Sequence, residues 1–185
     1  MRTLQLSVAG TVILTLLGGP GSVAVAGDED AMASDVPHEV SGTLRFDDDF
    51  QGSTVTVEEG RTLVRGVGFC ETIEMDDARL SGTLWTVMNR DYLGDRQYGS
   101  DGEVGAGTVE LVSDDGSWVG TMRGYVSMDP RTHHWHYELT GTGAHDGFSA
   151  LLYATRPETG VWDVEGFVFP GVLPDHPDPV EVPVE

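Results

Sequence analysis

The chain has 185 residues and a formal net charge of −21, with 31 acidic residues set against 10 arginines and no lysine. Such a surface repels nucleic acid and anionic membranes, so neither is an expected partner. Its length and 39% hydrophobic content suffice for one domain with a core of its own and no need of disulfide staples.

Residues 1–26 read as a secretory signal peptide. Arg2 gives a basic start, Leu6 to Leu17 is apolar, and Ala24-Val25-Ala26 sits just before the acidic Gly27-Asp28-Glu29-Asp30. The apolar run is shorter than the ~20 residues of a comfortable membrane span, and no cysteine lies at the junction to mark a lipoprotein. The mature protein is therefore expected to be secreted, with no stable membrane insertion. Residues 27–37 are an acidic leader without periodicity and residues 172–185 a tail rich in proline and acid, both expected to be disordered. The domain is placed at 38–171.

Its predicted strands, in order, are Glu39–Asp47, Thr62–Met75, Leu80–Arg90, Val104–Val112, Ser117–Met128, His134–Gly143, Phe148–Thr155 and Val161–Phe169. Gln51–Glu58 is a further short candidate. Turn chemistry separates them, as at Asp76-Asp77, Asp114-Asp115-Gly116, Asp129-Pro130 and His145-Asp146-Gly147. Cys70 cannot bridge internally. Its place in the run Leu63–Cys70 predicts a buried, inert thiol. The stretch Ser117–Phe148 reads as one long hairpin around Asp129-Pro130.

Glycines recur inside almost every predicted strand, at Gly42, Gly66, Gly68, Gly82, Gly105, Gly107, Gly120, Gly124, Gly141, Gly143 and Gly166. Glycine normally weakens a strand, so this recurrence points to strong coiling of the sheet. The expected fold is all-β, a single closed or nearly closed antiparallel barrel of about eight strands, which also removes exposed edges.

Three segments carry a resemblance. They are Asp76-Asp77-Ala78-Arg79-Leu80-Ser81-Gly82-Thr83, the pattern Trp118-x-Gly120-x-x-x-Gly124, and Leu139-Thr140-Gly141-Thr142-Gly143-Ala144-His145-Asp146-Gly147-Phe148. Together they resemble exported actinobacterial proteins of unknown function whose barrels are similar to the allene oxide cyclase and dirigent group. The resemblance implies an eight-stranded antiparallel barrel with a central cavity. It lies in turns and glycine spacing, and no catalytic residue of the cyclase maps onto this chain.

Tryptophans fall on four different strands, at Trp85, Trp118, Trp135 and Trp162. They either form the core or wall a cavity for an apolar ligand. Arg123, flanked on its face by Val119, Thr121 and Tyr125, is the arginine expected to point inward and orient such a ligand. The expected binding set is Trp85, Trp118, Arg123, Tyr125 and Trp135. Trp118 and Arg123 are an odd number of positions apart, so both face inward only across a bulge. Arg65, Arg79, Glu71, Glu74 and Glu165 are expected mostly in cross-strand pairs on the outside.

His134, His136 and Glu138 share one face of their strand, opposite His133, Trp135 and Tyr137. Two imidazoles and a carboxylate can hold a divalent transition metal if a partner strand turns them inward. Otherwise they are the polar outer face of the hairpin. No nucleophile elbow, phosphate loop or zinc cysteine pattern is present, and no cofactor is expected. Three classes of function remain: a binding barrel for a small apolar or amphipathic molecule, a cyclase-like enzyme of the same barrel type, and a cell-envelope interaction module.

Overall fold

Consecutive strands joined by tight turns pair most simply side by side and antiparallel, and the chain does so from residue 61 to residue 170. The structure is a computed structural model that describes residues 36–94, 101–128, 130–157 and 160–174. The expected signal peptide, residues 27–35 of the leader and residues 175–185 of the tail lie outside them. The strands are β1 (His38–Gln51), β2 (Thr54–Glu58), β3 (Arg61–Met75), β4 (Gly82–Leu93), β5 (Gly102–Val112), β6 (Gly116–Met128), β7 (Arg131–Gly143), β8 (Phe148–Pro157) and β9 (Trp162–Pro170). A short 3-10 turn, Ala78–Leu80, takes Leu80 out of the strand predicted for it.

β3 to β9 form a meander, each strand paired with the next. β1 closes it, pairing with β9 through His38–Leu44 and with β3 through Gly42–Gln51. The result is a ring of eight antiparallel strands, the barrel that the glycine pattern implied. β2 is a ninth strand outside the ring. It pairs with β3 at Arg61–Arg65, beyond Gly68, where the pairing of β1 ends. The expected hairpin is β6 with β7, in unbroken register from Gly116↔Gly143 to Met128↔Arg131.

Alternation decides what faces inward. On β7, Trp135, Tyr137 and Leu139 are buried, while His136 is exposed. The same parity sends Leu84 and Met88 inward on β4, Trp118 and Met122 on β6, and Leu152 and Ala154 on β8. Around the waist Leu44, Ile73, Leu84, Leu111, Leu139, Leu152 and Val164 pack until a space of only about 10 Å³ is left. Cys70 has the opposite parity. It lies half-buried on the outer face between Asp48 and Trp85, a correction to the buried thiol expected, because its neighbours Phe69 and Glu71 take the inward positions.

One end of the ring is closed. Leu80 of the 3-10 turn and Trp118 are fully buried there, and the Trp118 indole Nε1–H donates to the Arg79 carbonyl at 2.7 Å. His145 stacks on Trp118 at 5.3 Å and meets the Ser113 hydroxyl at 2.7 Å. The Arg79 guanidinium covers the Phe148 ring at 4.8 Å and donates to Asp77, as does His38. Burial alone would raise the Asp77 carboxyl. The hydrogen bonds from Arg79 and His38 outweigh it and hold the pKa at about 2.

Two glycines show why the barrel needs them. Gly66 adopts φ +73 at the irregularity between Val64 and Val67 of β3, where its N–H donates to Asn89 Oδ1. Gly124 lies directly across from Trp135, and a Cβ there would sit 2.5 Å from the indole Cε3 and against the His134 carbonyl. A Gly124→Ala variant is expected to lose about 1–3 kcal/mol through overpacking. Its urea midpoint would check this, and an unchanged midpoint would mean that the paired β6 and β7 backbones shift to make room.

Candidate functional site

The other end of the ring is built differently. Here β4, β6 and β8 finish and β3, β5, β7 and β9 begin, and the inward parity passes from leucine to aromatic and ionisable side chains. A cavity of about 410 Å³ opens there, lined by Phe69, Trp135, Tyr137 and Trp162 with Glu71, Arg90, His133 and Arg156 among them. Phe46 and Asp49 stand at its mouth, carried by the part of β1 where irregularities at Phe46/Asp48 and Asp49/Gln51 bend the strand.

Each charged side chain is there because it continues the apolar stripe of its strand. Glu71 falls between Phe69 and Ile73, Arg90 follows Met88, Arg156 follows Ala154, and His133 precedes Trp135. Glu71 is 4% exposed, and its side chain has no hydrogen-bond partner among the described residues. Burial pushes its pKa up to about 7, against the pull of Arg90 and Arg156. Glu103, on β5, is also raised by burial and lies 3.4 Å from Arg90 Nε. Burial lowers His133 to about 4, helped by the positive charges of Arg156, Arg131 and Arg90, so its imidazole is neutral at ordinary pH.

The cations are held by rings as much as by carboxylates. The Arg156 guanidinium lies over Trp162 at 4.6 Å and Arg90 over Phe69 at 5.2 Å. His133 meets Trp162 edge-on at 5.3 Å. The Nε atoms of Arg156 and Arg131 are buried without a hydrogen-bond partner.

The residues proposed from sequence separate. Trp135 lines the cavity, and so does Trp162. Trp118 is buried at the opposite, closed end. Trp85 (40% exposed) and Tyr125 (47% exposed) lie on the outer face, and Trp85 meets Phe50 edge-on at 5.2 Å. Arg123 is a correction of orientation. Its side chain is 66% exposed and pairs with Glu138 at 2.7 Å. β6 runs without a bulge against both neighbours, so the odd spacing from Trp118 puts Arg123 outside.

His134, His136 and Glu138 share the outer face as their spacing required, but each is engaged there. His134 Nδ1 is 2.6 Å from the Tyr153 hydroxyl, His136 packs on the Tyr153 ring at 4.6 Å, and Glu138 accepts from Arg123. Among the described residues no group of three His, Cys, Asp or Glu side chains is placed to hold a metal ion. A larger depression, about 770 Å³, lies on this outer face beside Leu151, Tyr153 and Phe167. It is open to solvent, and Glu39, Asp76 and Glu165 line it without an arginine. The inner cavity is where aromatic walls and opposite charges converge.

Sequence reasoning missed Arg90, Arg156 and Glu103, set His133 on the face of Trp135 and Tyr137 without giving it a role, and expected Glu71, with most of its group, on the outside. The usable signal was parity: an ionisable residue two positions beyond a buried one, at the same end of one strand after another. The chain matches no family model, no curated protein and no solved structure.

Proposed function

We propose that the protein is an exported barrel that binds one small amphipathic molecule in the cavity at its open end. The observation that carries this reading is the change of lining along the barrel axis. Leucines fill the waist, whereas about 410 Å³ stays open above it between aromatic rings and two arginines. Small-molecule sites typically have volumes of about 300–1,000 Å³, mostly apolar walls and a few convergent polar groups. The rings supply contact area and the arginines direction. Export rests on the pattern of residues 1–26. The likeness to the allene oxide cyclase and dirigent barrels supports a central cavity and transfers no residue role.

A second reading, an enzyme of the same barrel type, is favoured by Glu71. A buried carboxyl with a pKa of about 7 suits general acid–base work at neutral pH. Binding is the common requirement of both readings.

Screening apolar and amphipathic compounds by melting shift tests the reading. A ligand at ~100 times its Kd is expected to add about 2.7 kcal/mol of stability. A Val67→Trp variant, which fills the cavity from its wall, is expected to keep the β-rich circular dichroism and lose the shift. Shifts of equal size in both proteins would place the ligand elsewhere. No shift in the parent protein would leave a macromolecular partner as the function.

A further inference from the structure

We propose that the cavity's ligand is a carboxylic acid with an aromatic body, bound as its anion, and that Arg156 receives the carboxylate. This rests on the cavity being the binding site and goes further, to the charge and class of what binds.

Three of the chain's ten arginines, Arg90, Arg131 and Arg156, gather at this end of a protein whose net charge is −21. Arg90 is neutralised by Glu103 at 3.4 Å. Arg156 makes no ion pair or side-chain hydrogen bond among the described residues. It rests on the Trp162 face, and its buried Nε–H has no acceptor. With no carboxylate in contact, the Arg156 guanidinium presents its charge to whatever enters the cavity it lines, and an anionic group there would pair it. A carboxylate matches the guanidinium in charge and in its paired acceptors. A dianion would crowd Glu71, which lines the same space. The ligand's body then lies among Phe69, Trp135, Tyr137 and Trp162, where flat rings find edge and face contacts.

Glu71 makes the binding sensitive to pH. Its carboxyl is influenced by Arg90 from β4, Arg156 from β8 and Asp47 from β1. Tyr137 feels its charge, and His133, also on β7, shares the cavity as a neutral ring. An incoming carboxylate competes with ionised Glu71 for Arg156 and repels it, so the acid binds to the form with Glu71 protonated. Affinity is therefore expected to fall about tenfold per pH unit above the Glu71 pKa, in proportion to the protonated fraction.

The test is calorimetric titration of the full chain with 2-naphthoate and trans-cinnamate, each beside its neutral amide, from pH 6 to pH 8.5. The acids are expected to bind at least tenfold tighter than their amides at pH 6 and to lose affinity as pH rises, while the amides stay level. Glu71→Gln should flatten the pH dependence, and Arg156→Gln should bring acid and amide together. Amides binding as tightly as acids in the parent protein would overturn the anion assignment and leave the binding cavity standing. If neither acids nor amides bind and apolar compounds give no melting shift, both readings fall. The acid and amide comparison needs no variant, so a misfolded Arg156→Gln protein would leave the test intact.

Discussion

A Trp118→Ala variant is expected to lose about 3–5 kcal/mol of folding stability, the usual cost of cutting a large aromatic out of a core. Trp118 is the largest fully buried side chain, at 0% exposure. It is also the meeting point of the closed end. Its ring carries His145, and its N–H satisfies the Arg79 carbonyl of the 3-10 turn that brings in Leu80. Truncation leaves both a void and a buried acceptor without its donor, two costs that add. Trp118→Phe keeps much of the volume and gives up the hydrogen bond, so its loss should be smaller, about 1–2 kcal/mol. Urea midpoints of the three proteins would separate packing from the hydrogen bond. A loss below ~1 kcal/mol for the alanine variant would mean that the closed end collapses to fill its own void.

Glu71→Gln is expected to be more stable than the parent protein above pH 7, by up to about 3 kcal/mol, with the advantage gone below pH 4.5. The folded pKa of about 7 stands above the ordinary glutamate value of 4.5, so the unfolded chain releases this proton first. Glu71 therefore contributes its full stability below pH 4.5 and loses it as pH rises through 7. A shift of this size corresponds to about 3 kcal/mol. Glutamine keeps the shape of the protonated acid and cannot ionise. Denaturant midpoints across pH 4–9 would check this, the difference between the two proteins removing the self-repulsion of the acidic surface common to both. Parallel curves would show that Glu71 reaches solvent when ionised. Asp77 works in the opposite sense. With its pKa held at about 2, it stabilises the fold above pH 3.8 and ceases to as pH falls through 2.

These two ends of one barrel differ in how far the sequence reveals them. The closed end is legible because its parts lie in short local patterns. Asp77, Arg79 and Leu80, then Trp118, then His145 and Phe148 come from the three segments that carried the resemblance, and they meet in space. The strands were legible too, since turn residues and alternation are local signals. The cavity was not. β3, β4, β7, β8 and β9 each give it only one or a few residues, so no spacing in the chain announces it. Arg123 shows the limit of judging a residue by its flanks. Val119, Thr121 and Tyr125 made its face look apolar, yet all three point outward with it. Counting parity from Trp118 across an unbroken β6 gives the right face.

Closure of the ring by β1 has a kinetic consequence. β3 to β9 need only neighbouring hairpins to assemble, but the pairing of His38 with Val168 joins the first strand of the sheet to the last. Long-range strand pairing is slow, so folding is expected on the millisecond-to-second scale typical of barrels, with closure among the late events. Until β9 arrives, β1 waits with an open edge, the kind of segment that pairs with another copy of the same chain. Its sequence carries a guard against that. Glu39 lies on that edge and Asp47-Asp48-Asp49 follow it along the same strand, so a second copy would meet mostly acidic charge.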